Sequence, residues 1–133
     1  MKLEHIGIAV RSLDKSIPLF EKLLNSKCCK LEEVKAEQVV TAFFEIGETK
    51  LELLESTSPS GIISSFIDRK GEGVHHIAFE VDDIHSEVAR LKNEGFVVLD
   101  ETPRSGADNK IICFLHPKST NGILVELCQS TAP

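Results

Sequence analysis

The chain has 133 residues, 41% of them apolar, with 21 acidic against 15 basic side chains and a formal net charge of −6. That is the length of one domain, or of two small modules sharing one sheet, with apolar content enough for a core. The acidic balance, the lack of any block of like charge and the absence of Trp and Tyr argue against a nucleic-acid partner.

No apolar run approaches the roughly 20 residues of a membrane span, and Met1-Lys2-Leu3-Glu4-His5 lacks a signal peptide's apolar core. A cytoplasmic protein with no membrane partner is expected. Cys28, Cys29, Cys113 and Cys128 show no CxxC spacing, so reduced and mostly buried thiols are expected.

In chain order, Leu3 to Val10 alternates large and small residues behind His5 and reads as a strand. Its face of Ile6, Ile8 and Val10 is apolar, and its other face sets His5 beside Gly7 and Ala9. Capping residues at Leu13-Asp14-Lys15-Ser16 and apolar residues at helical spacing predict a helix over about Asp14 to Asn25, with Pro18 in its first turn. Strands follow at Cys28 to Val34, Val39 to Ile46 and Lys50 to Glu55, the last two joined by a Gly47-Glu48-Thr49 turn. Residues 57–73 read as a linker with a short amphipathic helix carrying Ile62, Ile63, Phe66 and Ile67.

The order then repeats. Val74 to Val81 predicts a strand, and Ile84 to Asn93 a helix capped by Asp82-Asp83 and closed by a left-handed Gly95. Strands are predicted near Phe96 to Leu99, Lys110 to Leu115 and Gly122 to Gln129. His5 and His76, Leu13 and Ile84, and Phe20 and Leu91 all lie 71 positions apart; at the last strand, where Leu51-Glu52-Leu53 meets Val125-Glu126-Leu127, the offset is 74. The extra residues are expected around Arg104 to Asn109 or His116 to Asn121. The chain is therefore read as a single domain over 1–133, made of module 1 (1–56), the linker (57–73) and module 2 (74–130). The expected class is α+β, two βαβββ modules pairing into one curved, cup-shaped mixed β-sheet.

The duplication yields His5, Glu52, His76 and Glu126 as equivalent pairs. Two imidazoles and two carboxylates suit one divalent ion, Zn, Co, Ni, Mn or Fe, with open positions for a substrate bearing two oxygens. The bland alternative is that the histidines face a solvated concavity and the glutamates sit on edges. His75 has the wrong parity for a ligand, Glu80 reads as rim, Glu55 as solvated, and His85 and His116 lack a counterpart in the repeat.

Two such modules, with the strings Gly71-Glu72-Gly73-Val74-His75-His76-Ile77-Ala78-Phe79-Glu80-Val81-Asp82-Asp83-Ile84 and His116-Pro117-Lys118-Ser119-Thr120-Asn121-Gly122-Ile123-Leu124-Val125-Glu126-Leu127, resemble the vicinal oxygen chelate (glyoxalase/bleomycin resistance/dioxygenase) superfamily from Leu3 to Gln129. Within it the strings are more similar to the methylmalonyl-CoA epimerases than to glyoxalase I. The resemblance implies a homodimer, a metal held by His5, Glu52, His76 and Glu126, and an acyl-CoA thioester as small-molecule partner. It also implies an isomerase acting by α-proton abstraction and return through a metal-stabilised enolate; Glu126 and Glu52, from their symmetry in the repeat, are the expected bases. Arg104, Lys110 and Lys118, expected in loops, are candidates for the CoA phosphates. Two departures stand out: several epimerases have Gln at the position of Glu52, and some carry a further carboxylate on the middle strand of the first half, where Gln38-Val39-Val40-Thr41-Ala42 has none. Lactoylglutathione lyase activity, or non-catalytic binding of a small molecule or antibiotic, are the alternatives within the fold.

Overall fold

The computed structural model describes residues 1–131. They form two compact units, one of His5–His75 and one of Met1–Glu4 together with the chain from His76 onward. Both carry the same topology.

In the first half of the chain, β1 (Lys2–Ala9, whose first three residues fall in the other unit) and α1 (Leu13–Leu24) precede β2 (Lys30–Val34), β3 (Val39–Ile46), β4 (Thr49–Ser56) and α2 (Ile62–Lys70). The strand order is β2-β3-β4-β1, antiparallel except for the parallel β1–β4 pair. In the second, β5 (Gly73–Glu80), α3 (Ile84–Asn93), β6 (Arg104–Ser105), β7 (Lys110–Leu115) and β8 (Val125–Ser130) give β5-β8-β7-β6, with β5 and β8 parallel and the rest antiparallel. A parallel neighbour for each first strand requires a long crossover, which the helix and two-strand excursion supply. With the fold of its relatives reported below, this is the expected α+β class of paired βαβββ modules.

The helices bury the stripes that their periodicity announces. Leu13, Ile17, Phe20 and Leu24 of α1 pack with Val10, Ala42, Phe44 and Leu53, while Ile63 and Ile67 of α2 pack with Ala9, Val39 and Leu54 on the other face of the same strands. In the second unit Ile84, Val88 and Leu91 of α3 pack with Val81, Cys113, Leu115 and Leu127. Ser12, just ahead of the stretch expected to supply the cap, caps α1 by accepting the Lys15 amide at 3.3 Å. Pro18 thus stands inside the helix rather than in its first turn, and the Asp14 carbonyl loses its intrahelical donor.

Each helix start is also held from the sheet. The Leu13 amide donates to Glu55 Oε1 at 2.6 Å, and the Ile84 amide donates to Gln129 Oε1 at 2.8 Å. Glu55 is therefore not a solvated residue but an acceptor for a helix amide that has no intrahelical partner.

Two strand expectations need correcting. Phe96 to Leu99 forms no strand, only a single bridge of Val98 to Leu115, because Phe96 and Val98 pack inward on the α3 cluster and their alternation reports that contact. The edge strand is instead Arg104–Ser105, in the stretch expected to be loop. Phe43 faces Glu52 and Phe114 faces Glu126, nine positions apart in the first case and twelve in the second. The three additional residues therefore lie in the connection around His116 to Leu124. No helix among the described residues is long and apolar enough to cross a membrane.

Candidate metal centre

Each unit brings one imidazole against one carboxylate. In the first, Gly7 is the register partner of Glu52 on the parallel pair β1–β4; His5, two residues back on the same face, reaches across a glycine that offers no side chain. His5 Nδ1 lies 3.1 Å from Glu52 Oε2. In the second, Ala78 partners Glu126, and His76 reaches over that small residue to bring Nε2 within 3.3 Å of Glu126 Oε1. The small residues that alternate with the histidines are thus what lets ring and carboxyl meet.

All four side chains are buried, His5 and Glu126 at 5% exposure, His76 at 6% and Glu52 at 4%. Burying such groups is costly unless they are paired or coordinate an ion. The spacing is that of an ordinary hydrogen-bonded ion pair, and it also fits a divalent ion: two ligand atoms about 2.1 Å from an octahedral centre and at right angles to it stand about 3.0 Å apart. Neutral imidazole with carboxylate is a donor set for a borderline ion such as Zn, Co, Ni, Mn or Fe.

A phenylalanine flanks each glutamate on the neighbouring strand, Phe43 beside Glu52 and Phe114 beside Glu126. The Phe114 ring stands edge to face with His76, with centroids 5.9 Å apart. Each ring carries a cation, Lys30 at 4.8 Å over Phe43 and the Arg104 guanidinium carbon at 5.7 Å over Phe114. On β3, Thr41 is buried at the position two before Phe43, and residues 38–42 contain no carboxylate. The flanking rings are legible as a pair at offset 71, but nothing in the sequence ties them to the His–Glu pairs without the strand register.

Lys110 is a strand residue on β7, buried at 9% exposure, and not the loop cation expected for a CoA phosphate. Its ammonium donates to Ser130 Oγ at 2.7 Å and lies 3.5 Å from Glu80 Oε2 and 4.0 Å from Glu4 Oε2. Burial pushes the Glu80 carboxyl upward, but Lys110, the Ser130 hydroxyl and Lys2 together hold it below the ordinary range, so Glu80 serves an ion-pair network. Lys118 sits on the 3-10 turn Pro117–Ser119, and Arg104 on β6 rather than in a loop.

His75 turns away from the face of His76 and meets Phe66 edge-on at 4.9 Å; burial, helped by Arg69, pushes its pKa down to about 4. His116 Nδ1 accepts the Lys118 amide at 3.0 Å, and the His85 amide donates to the cap Asp83 at 3.1 Å. All four cysteines are free, Cys113 and Cys128 buried, Cys28 half-buried and Cys29 exposed. Burial drives the Cys113 and Cys128 thiols up, away from thiolate chemistry.

A duplicated module with an imidazole and an acid in each half defines a class, and comparison with known proteins agrees. Residues 4–114 match the family model of the glyoxalase/bleomycin resistance protein/dioxygenase superfamily, and the chain belongs to that family. Similar proteins include YqjC of Bacillus subtilis, whose function is uncharacterized, at 38% identity over 96% of this chain and 91% of that one. The mitochondrial methylmalonyl-CoA epimerase of Dictyostelium discoideum is 39% identical over 95% of this chain and 76% of its own. A single-residue variant of the Streptomyces coelicolor methylmalonyl-CoA epimerase, in complex with 2-nitronate-propionyl-CoA, superposes with a TM-score of 0.94 at 33% identity, covering 99% of both chains.

Proposed function

We propose that this protein is a metal-dependent epimerase that interconverts the two epimers of methylmalonyl-CoA, with His5, Glu52, His76 and Glu126 jointly holding one divalent ion. The observation that carries this reading is the duplicated His–Glu pair, buried in both units, with nitrogen and oxygen 3.1 and 3.3 Å apart, a separation that adjacent ligands of an ion share with an ordinary ion pair. The family and the epimerases among its relatives support the substrate class. A bound divalent ion supplies Lewis acidity toward the oxygens of a malonyl-type thioester.

The chain's own groups do the proton work. Glu126 takes the α-proton from one face of the carbon, and Glu52 returns a proton to the opposite face; in the reverse direction the roles exchange. Glu52 stands where several epimerases have Gln, and β3 offers the buried Thr41 in place of an acid. The base pair is therefore drawn from the ligand carboxylates themselves. Phe43 and Phe114 stand beside Glu52 and Glu126 on the neighbouring strands and give each carboxylate an apolar neighbour. Lys118 remains the candidate for a CoA phosphate, and a homodimer is the assembly proposed.

The test is incubation of the ion-loaded protein with one epimer of methylmalonyl-CoA in deuterated water. Appearance of the other epimer with deuterium at the α-carbon is expected. Retention of the α-proton with no inversion overturns the reading.

A further inference from the structure

The two His–Glu pairs are chemically alike, so the ligand set alone does not distinguish the carboxylate end of a malonyl thioester from its thioester end. The side chains around the pairs do. Over Phe43 stands Lys30, a point charge 3.6 Å from Glu32 with its side chain 45% exposed. Over Phe114 stands Arg104, and it is held from three directions. The register of β6 with β7 puts Arg104 opposite Ile112, beside Phe114. The guanidinium stacks on the Phe114 ring, 5.7 Å to the centroid. Asp100 Oδ1 accepts its Nε at 3.2 Å, while Asp100 Oδ2 accepts the Phe114 amide at 2.8 Å. One carboxylate thus ties the arginine and the strand residue beneath it into a single rigid piece. That ring in turn abuts His76.

We infer that Arg104 is a specificity-determining residue that recognises the free carboxylate of the substrate and so sets which way round a malonyl thioester sits. The inference rests on the reading under Proposed function and deepens it. Arginine presents a planar fork that matches a carboxylate in two parallel hydrogen bonds, which the ammonium of Lys30 does not. Distance argues for the acyl end. Arg104 and the His76 imidazole both contact the Phe114 ring, whereas the arm of CoA places its diphosphate on the order of 15 Å from the thioester when extended, at ordinary bond lengths. A fixed orientation also decides which of Glu126 and Glu52 meets each face of the α-carbon.

The experiment compares binding of malonyl-CoA with that of acetoacetyl-CoA by calorimetry on the Co²⁺-loaded protein, wild type and Arg104→Gln. Both probes carry the same CoA tail and two oxygens at chelating spacing, but only malonyl-CoA has the carboxylate. Wild type is expected to prefer malonyl-CoA, and the substitution to weaken malonyl-CoA by roughly ten- to a hundredfold while leaving acetoacetyl-CoA within about twofold, as for loss of a charged hydrogen-bonded pair. Arg104→Lys is expected to recover part of the preference. An equal loss for both probes would make Arg104 a contact of the CoA tail, and no loss for either would make it structural; each overturns the inference. Epimerisation by the wild type is measured separately, so a protein that prefers malonyl-CoA without turning over methylmalonyl-CoA would count against the proposed activity and not against Arg104.

Discussion

At the residue scale, the two glutamates have separable duties. Replacing Glu52 or Glu126 by Gln keeps an oxygen ligand and the shape of the side chain but removes a base, and epimerisation is expected to fall by about 10²–10⁴-fold. In each single variant one epimer still exchanges its α-proton with solvent without inverting, which NMR of the product in deuterated water detects; unchanged inversion in both would reject the two-base arrangement. His5→Ala and His76→Ala are expected to lower metal affinity by at least about a hundredfold, more than loss of an outer-shell partner, read by metal analysis after dialysis. His75 makes a different prediction. Its pKa is pushed from 6.5 down to about 4 by burial and Arg69, so the unfolded chain binds a proton between those values and the folded chain does not. Stability is therefore full above pH 6.5 and declines as pH falls toward 4. His75→Phe, compared with wild type by denaturant unfolding at pH 7 and 4.5, should flatten that decline. The His–Glu pairs can be read in the sequence because Gly7 and Ala78 sit two positions after their histidines and leave visible room. The part proposed for Arg104 cannot, since it depends on a two-residue strand with no pattern of its own.

At the scale of elements, the anchoring of α1 and α3 shows how the duplication persists after its chemistry has drifted. Glu55 and Gln129 stand three residues beyond Glu52 and Glu126, and each accepts the first amide of its helix. One is an acid and the other an amide, so the sequence conceals their equivalence. Because the odd-numbered and even-numbered positions of a strand face opposite ways, β4 and β8 present a proposed ligand on one side and a helix anchor on the other. Glu55→Ala and Gln129→Ala are each expected to cost about 1–2 kcal/mol, the worth of a part-buried acceptor at a helix start. Equilibrium unfolding in urea measures this, and Glu55→Gln should recover most of the loss. The stretch near Phe96 imitates a strand for a related reason: alternation signals a buried face, and packing on α3 gives that signal without any strand partner.

At the scale of the whole molecule, most of the topology is legible because the 71-residue offset aligns strand with strand and helix with helix without any coordinate. What it does not reveal is where the chain divides. The boundaries fall at His5 and His76, inside the first strand of each half, so Met1–Glu4 belongs with the later unit. There Lys2 lies 3.6 Å from Glu80 and Glu4 lies 4.0 Å from the buried Lys110. A chain that begins at His5 should accordingly show faster amide exchange in β5, β7 and β8 than in β2 and β3, measurable by mass spectrometry; uniform exchange would show that the four residues carry no such weight. Proteolytic loss of Met1–Glu4 would withdraw two charges from a balanced set of four, leaving a buried ammonium short of a carboxylate in a unit whose own sequence starts seventy-odd residues later.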